Sequence, residues 1–226
     1  MTPAEAVEQA IRLRRAVRGF LPDPVDPALV RHLIDLAAQA PSGTNMQPWK
    51  LRVVGPQTRV RLEEALLAAL EAGERPGVEE YRYYPERFRE PYLARRRKVG
   101  WDLYGLLGVE RGDTEGMKRQ TAANLRFFDA PVALMLTIDR DLEIGSWLDL
   151  GMFIQTLLIA AQGHGLDSCP QAIFAQFHTI VRRELAIPEG EVVVCGIAIG
   201  KVDPEAPANR LVPEREPVES FTTWLD

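Results

Sequence analysis

Residues 146–162, SWLDLGMFIQTLLIAAQ, decide the fold, because their composition predicts a helix that is apolar on almost every side. Asp149 is the only charged side chain in this segment. A helix without a polar face has to be covered all round. A chain of 226 residues forms one large domain or two small ones, and covering such a helix in a domain of this size calls for another subunit. We therefore expect residues 146–162 to lie in a core that two subunits share.

The elements around this segment alternate between helix and strand. Thr2-Pro3-Ala4-Glu5 is a capping box with proline at the first helical position, and Asp26-Pro27 begins a second helix that ends near Ala40. Apolar periodicity predicts further helices over residues 60–70, 92–99 and 114–127, and strands over residues 51–54, 131–138 and 191–199. The order is not a regular βαβ ladder, so we predict an α+β fold with a central sheet between helices.

We interpret residues 1–226 as a single domain with two departures from its core. Residues 73–113 include a stretch crowded with proline, glycine, tyrosine, arginine and glutamate, which is typical of an excursion beside the main fold. Residues 200–226 are rich in proline and arginine and are expected to form a C-terminal arm.

Charge and composition exclude several classes of protein. The chain carries 27 basic and 32 acidic residues, a formal charge of −5, and a mildly acidic chain is a poor general binder of nucleic acid. The basic run Arg95–Lys98 follows several glutamates and is interpreted as a charged surface. No uninterrupted apolar run reaches the roughly 18 residues of a membrane span, and residues 1–5 do not resemble a secretory signal. We expect a cytoplasmic protein without membrane or nucleic-acid partners.

Cysteine and histidine spacing gives no support to a metal site. Cys169 and Cys195 stand apart, without a CxxC pair, and the three histidines are scattered. No residue near Cys169 in sequence would lower its pKa, so a buried structural cysteine is favoured over a nucleophile. The glycine patterns of Rossmann and P-loop nucleotide sites are also absent from the sequence.

Four polar clusters remain as candidates for binding chemistry. We expect Arg14 and Arg18 to share a face at a helix end, where they either bind a phosphate or form a solvated basic terminus. Residues 41–49 offer hydroxyl and amide groups that either recognise a flat heterocycle or form a polar turn. Residues 166–172 follow the apolar helix. The arginines of residues 209–217 either complete an anion site or lie at the surface.

Taken together, these clusters resemble the FMN-dependent nitroreductase family. The family segments occur in order, as RRxVRxF at 14–20, PSxxNxQPW at 41–49, LDSCPQ at 166–171 and a GxxDPxxPxNR…R tail at 200–215. Each segment is weak alone, and their common order makes the resemblance specific. Residues 145–149 and 95–105 are most similar to the nitrobenzoate and nitrobenzene reductase branch.

The resemblance implies an intertwined α+β homodimer with a mixed or antiparallel sheet and two FMN sites at the subunit interface. It also implies that residue 157 lies at that interface. In such a dimer, Arg14, Arg15 and Arg215 hold the FMN phosphate. Arg18 lies at the pyrimidine edge of the flavin with Arg126 as a second cation, and the N–H of Ala172 faces flavin N5. Ser42 and Asn45 would come from the second subunit. The family commonly has serine where this chain has Ala16, so one hydroxyl contact to the phosphate is lost. The full implied set of cofactor-binding residues is Arg14, Arg15, Ala16, Arg18, Ser42, Asn45, Gln47, Asn124, Arg126, Pro170, Gln171, Ala172 and Arg215.

The implied activity is reduction of nitroaromatic or quinone-like acceptors with NADH or NADPH, by a ping-pong two-electron mechanism. The flavin carries the redox chemistry, so no catalytic side chain and no metal are implied. One alternative is another flavin chemistry on the same fold, namely reductive dehalogenation, enone reduction or flavin fragmentation. Another is an FMN-binding protein without significant turnover. The aromatic residues between 81 and 101 form either a wall for an aromatic acceptor or a packing surface between subunits.

Overall fold

The computed structural model describes residues 1–74 and 79–225. Its helices are α1 (Pro3–Leu13), α2 (Pro27–Ala37), α3 (Pro56–Glu71), α4 (Tyr92–Leu106), α5 (Thr114–Leu125), α6 (Ile144–Gly163), α7 (Ile173–Gln176) and α8 (His178–Glu184). Its strands are β1 (Lys50–Val53), β2 (Val132–Asp139), β3 (Asp167–Gln171) and β4 (Glu191–Gly200). The predicted capping box begins α1, because Glu5 N–H donates to Thr2 Oγ1 at 3.2 Å and Thr2 N–H donates to Glu5 Oε2 at 2.7 Å.

The four strands form one antiparallel sheet in the order β1-β2-β4-β3. Every residue of β4 is buried, because helices cover both faces of the sheet, and its sequence is therefore a continuous apolar run rather than an alternating one. The pairing of β2 with β4 contains a β-bulge. Leu136 pairs with Cys195 and Thr137 with Val193, which leaves Val194 as the extra residue. The predicted α+β class with a central sheet is confirmed.

Hydrophobic packing is divided between the two faces of the sheet. On one face, α2 and α6 contribute Leu33 and Phe153 to a buried cluster. On the other face, Leu62 of α3 packs with Phe127 and Phe174, whose rings stack with centroids 4.4 Å apart. Gly196 of β4 makes room for these rings, since a Cβ there would lie 2.4 Å from Phe174.

Helix α6 is central, but one chain does not cover it on all sides. Leu150 and Leu157 are buried within the chain, whereas Ile144 and Leu148 are 79% and 69% exposed. Residue 157 is therefore a core position of the single chain, contrary to its expected place at the interface. By length and composition alone α6 is long and apolar enough to cross a membrane, although Asp149 interrupts the run. This is weak support for a span, because the core helix of a soluble protein passes the same test.

The sequence analysis missed the elements that follow α6. Residues 167–171 form the edge strand β3, and α7 and α8 come directly after it. Pro170 suits an edge strand, because proline has no N–H to donate to a neighbouring strand. The predicted helical face shared by Arg14 and Arg18 is also wrong. Helix α1 ends at Leu13, and the backbone then runs beside β3.

Candidate functional site

A cavity of about 290 Å³ opens where β3 ends and α7 begins. It brings together predicted residues from three separate stretches of sequence, which are Arg18, Asn124 and residues 170–172. Tyr84 also lines it and belongs to the aromatic excursion, which the sequence suggested as a wall for an acceptor or a packing surface. The remaining lining side chains had no predicted role; they are Phe128, Cys169, Ile173 and Gln176.

Residues 14–18 lie against β3, where Val17 N–H donates to Ser168 O at 3.0 Å. Burial raises the pKa of the Cys169 thiol to about 11, and Arg18 and Arg14 oppose this increase. Burial likewise raises the pKa of Asp167, and here Arg15 is the main opposing charge. Arg14 and Arg18 therefore act at one position along β3 and Arg15 at another, so the structure does not bring all three arginines to one point.

Arg14 and Arg215 form what we call the cationic corner. Burial lowers the pKa of the Arg14 guanidinium, and the like charge of Arg215 lowers it further. The Arg215 Nη1 donates to Pro213 O and Glu214 O, both at 3.0 Å, and these carbonyls do not neutralise it. An anion between two guanidinium groups would relieve their repulsion, and phosphate accepts bidentate hydrogen bonds from arginine.

Asn209 ties the arginine segment to the C-terminal arm. Its Oδ1 accepts the Arg18 N–H at 2.7 Å, and its Nδ2 donates to Gly19 O and Asp203 O at 2.8 Å each. The residue is only 4% exposed. It therefore fixes the backbone of Arg18, a residue that lines the cavity. The sequence analysis quoted Asn209 within the tail motif without giving it a role.

Gln171 presents an unsatisfied oxygen at the cavity. Its Nε2 donates to Asn124 O and Asn124 Oδ1, both at 2.7 Å. Its Oε1 is buried and has no hydrogen-bond partner among residues 1–74 and 79–225. Because a buried polar atom without a partner is costly, a ligand that donates a hydrogen bond would be favoured here.

A left-handed turn, Phe127–Asp129, places Phe128 at the cavity wall. The three residues have φ values of +55°, +53° and +61°, a conformation that is unfavourable for residues other than glycine. Arg59 of α3 holds the turn by donating to the carbonyls at both of its ends, and its guanidinium lies 5.7 Å from the Phe127 ring centroid. Sequence patterns predicted helix up to residue 127 and gave no sign of this turn.

The segment 41–49 does not reach the cavity of its own chain. Ser42, Asn45 and Gln47 do not line it, and residues 43–47 are exposed. Three non-glycine residues of this loop, Thr44, Asn45 and Gln47, have positive φ values of 48°, 63° and 50°. Such backbone persists only where the surroundings hold it.

Asp149 supports this loop from inside α6. Its carboxylate oxygens accept the Gly43 N–H at 3.2 and 3.3 Å, and the residue is 6% exposed. Within the loop, Ser42 Oγ accepts the Gln47 N–H at 3.0 Å. The one charge in the apolar helix is therefore used to hold a polar loop, a role that the sequence analysis missed.

Arg126 points elsewhere. Its Nε lies 3.3 Å from Asp129 Oδ1, and it does not line the cavity.

In the part of the chain that the structure describes, His, Cys, Asp and Glu form no group of three that could hold a metal ion.

Comparison with known proteins identifies the class to which this site belongs. The chain matches the model of the nitroreductase family over residues 11–201. The nitrobenzene nitroreductase of Ectopseudomonas oleovorans is 36% identical over 225 residues, which is 100% of this chain and 99% of that protein. The 4-nitrobenzoate reductase of Pseudomonas putida is 37% identical over 218 residues, 96% of this chain and 95% of that protein.

Solved structures agree with the sequence relatives. The crystal structure of the FMN-dependent nitroreductase NfnB from Mycobacterium smegmatis, in complex with NADPH, matches with a TM-score of 0.94 at 34% identity and covers 100% of both chains. The chain therefore belongs to the nitroreductase family. This confirms the family and the fold that the motifs predicted, and the predicted likeness to nitrobenzene and nitrobenzoate reductases is confirmed as well.

Proposed function

We propose that this protein is an FMN-dependent oxidoreductase that uses NADH or NADPH to reduce nitroaromatic or quinone-like acceptors. The observation that carries the proposal is the cavity that Arg18, Asn124 and residues 170–172 line together. An anionic phosphate would relieve the repulsion between Arg14 and Arg215, and Gln171 has a buried oxygen that can accept a hydrogen bond from a ring N–H, so the charges and donors of the site suit FMN. Relatives that cover the whole chain carry nitroaromatic-reducing names.

When bound, FMN would supply the redox chemistry, which is hydride acceptance from the nicotinamide and electron transfer to the acceptor. The protein would bind and orient it. Arg14 and Arg215 would hold the phosphate, and Arg18 would place a positive charge near the ring that favours negative charge on the reduced flavin. Asn124 orients Gln171, and the backbone of residues 170–172 passes beside the ring. Arg15 and Arg126 take more distant places, since Arg15 interacts electrostatically with Asp167 and Arg126 forms an ion pair with Asp129.

The proposal includes a homodimer of single-domain chains, each spanning residues 1–226. The apolar side of α6 that is exposed in one chain would be buried by a second subunit. The polar side chains of Ser42, Asn45 and Gln47 do not line the cavity of their own chain. In a dimer the second subunit brings these side chains to the cofactor. Ala16 offers no hydroxyl to the phosphate, so its backbone N–H or a water takes that place. We place the protein in the cytoplasm, without nucleic-acid or membrane partners.

The test begins with the visible absorption spectrum of the purified protein, before and after anaerobic addition of NADH or NADPH, and then with nitrobenzene. We expect flavin bands that bleach with the nicotinamide and return with the acceptor. Arg14→Ala and Arg215→Ala should each weaken FMN binding by on the order of tenfold or more, since a charged hydrogen bond contributes roughly 1.5–3 kcal/mol. Arg61→Ala is the matched control, because Arg61 lies exposed on α3. Unchanged FMN affinity in both site variants would contradict the proposed phosphate position.

A further inference from the structure

Residues 79–84, which we call the strap, lead from β4 to the cavity. Two consecutive residues of the strap, Glu80 and Tyr81, attach it to β4. Glu80 is the first of these. Its side chain is only 7% exposed and lies 2.5 and 2.6 Å from the guanidinium groups of Arg140 and Arg182. Its Oε2 accepts the Val193 N–H at 3.2 Å. Burial raises the pKa of this carboxyl, but the hydrogen bonds from Arg140 and Val193 together with the nearby charge of Arg182 outweigh burial, so its pKa lies below the usual value. Glu80 is therefore ionised at neutral pH.

The two arginines form a socket that does not depend on Glu80 alone. Arg182 also donates to Pro188 O and to Glu191 O, and Arg140 donates to Glu189 O and Glu191 O. Both guanidinium groups are thus fixed to the chain that leads into β4. A buried carboxylate is stable only where such partners surround it. The side chain of Glu80 binds the strap to these two arginines.

Tyr81 provides the second fastening point. Its hydroxyl donates to Val194 O at 2.7 Å, and Val194 is the bulged residue that has no partner in β2. The Tyr81 ring packs 4.5 Å from the ring of Trp147 on α6. The strap therefore satisfies polar groups that the irregular edge of β4 leaves open.

The residues that follow are the aromatic wall of the cavity. Tyr83 and Tyr84 lie against Ala172 and Gln176, and Tyr84 also lines the 290 Å³ cavity with Arg18. Their rings contact each other with centroids 4.6 Å apart. Tyr84 follows Tyr81 by only three positions, a reach of about 10 Å, so the position of the wall depends on where the strap is fastened.

We propose that Glu80 and Tyr81 are positioning residues for acceptor binding, since they hold the strap and thereby set the distance between the Tyr83–Tyr84 wall and the ring of the bound flavin. The inference rests on the proposed function, because it assigns this wall to the acceptor half of that reaction. Tyr84 lines the 290 Å³ cavity, whereas Glu80 and Tyr81 do not line it. Loosening them widens the acceptor site and leaves the phosphate corner and Gln171 in place.

The experiment compares Glu80→Gln and Tyr81→Phe with the wild-type holoenzyme. Glu80→Gln removes the charge at nearly constant volume, and Tyr81→Phe removes only the hydroxyl and keeps the ring against Trp147. Glu86→Gln is the matched control, because Glu86 makes an exposed ion pair with Arg82 and touches neither fastening point. Nitrobenzene is the acceptor, since it is uncharged and does not respond directly to the lost negative charge.

We expect the KM for nitrobenzene to rise by on the order of tenfold in both variants, equivalent to the loss of about one hydrogen-bonded anchor. FMN retention and the rate of bleaching by NADPH should stay within about twofold of wild type. Amide hydrogen exchange in residues 79–84 should accelerate by at least about tenfold, with or without acceptor. Glu86→Gln should match wild type in all these measurements. Tyr81→Phe keeps the test decisive if Glu80→Gln fails to fold.

Two results would overturn the inference. If exchange in the strap accelerates while the KM for nitrobenzene does not change, the strap does not set the acceptor site. If FMN retention and bleaching fall together with acceptor reduction, the two residues have a general structural role. A wild-type protein that is not bleached by NADPH would refute the proposed function itself, and that failure is visible before any variant is made.

Discussion

Replacing Asn209 by alanine removes the connection between the arginine segment and the C-terminal arm. The wild-type amide makes three hydrogen bonds, one with Arg18 N–H and two with the carbonyls of Gly19 and Asp203. Alanine makes none of them. The consequences for the three backbone groups differ, because two of them have a second partner.

Gly19 O also accepts the Asp203 N–H at 3.0 Å, and Asp203 O accepts the Ala206 N–H at 3.4 Å. Each of these carbonyls loses one of two hydrogen bonds, which costs roughly 0.5–1.5 kcal/mol. Arg18 N–H loses its Asn209 acceptor, which costs roughly 1–3 kcal/mol. We therefore expect the free energy of unfolding to fall by about 3 kcal/mol, which corresponds to a decrease in Tm of about 6–12 °C for a chain of this size.

The assay is urea unfolding at one fixed protein concentration with saturating FMN, since a bound cofactor and the association of the proposed dimer would both contribute to stability. Ser220→Ala is the control, because the Ser220 hydroxyl lies in the exposed end of the same arm and bonds only the nearby Pro217 O. The FMN affinity of Asn209→Ala should fall as well, since Arg18 loses its backbone anchor. A loss of stability below about 1 kcal/mol would refute the reasoning, because it would mean that the three hydrogen bonds contribute almost nothing.

Three further predictions follow from the packing and the titration of the chain. Gly196→Ala should lower the free energy of unfolding by about 1–3 kcal/mol or more in urea titrations, because its Cβ would meet Phe174 at 2.4 Å; a neutral effect would show that the ring moves freely. Burial raises the pKa of Cys169 from 9.0 to about 11, so the folded state disfavours the thiolate. The protonated Cys169 thiol therefore contributes fully to stability below pH 9.0, and this contribution declines as the pH rises towards 11. Thiol titration of the native protein at pH 8 should show almost no reaction until urea is added. Leu148→Asp should convert the proposed dimer to monomers that retain little FMN, measured by sedimentation and absorbance; a flavin-loaded monomer would contradict the shared site. Leu157→Asp is no substitute for that test, because Leu157 is buried within its own chain.

Local sequence was sufficient for the elements whose stability is local. The capping box at Thr2 and the Asp26-Pro27 start specify helix beginnings through contacts within one turn. The runs at β2 and β4 are buried on both faces and therefore stay apolar along their whole length. The motif order along the chain was likewise sufficient for the family, because it combines several short segments that are individually weak.

Elements that depend on distant contacts were not predictable in the same way. Strand β3 contains Asp167, Ser168 and Pro170, which have no strong strand preference, and it exists because β4 offers it a partner. The left-handed turn at Phe127–Asp129 has no local preference in its favour and depends on Arg59, which is distant in sequence. Arg14 and Arg18 looked like a helix end because their spacing of four matches one turn, but the bridge to Ser168 makes the segment extended.

The sequence by itself determined the α+β class, the beginnings of the capped helices, the two buried central strands and the membership of the nitroreductase family. Each of these depends on periodicity, on capping within a few residues or on motif order. Only the tertiary structure decided which residues face the cavity, that the charge of Arg215 acts on Arg14, that Asn209 holds Arg18, and that Glu80 and Tyr81 fasten the strap to β4. The hydrogen bond between Arg18 and Asn209, for example, joins residues 191 positions apart. Their free energy comes from burying and pairing polar groups that a linear sequence shows only as isolated letters.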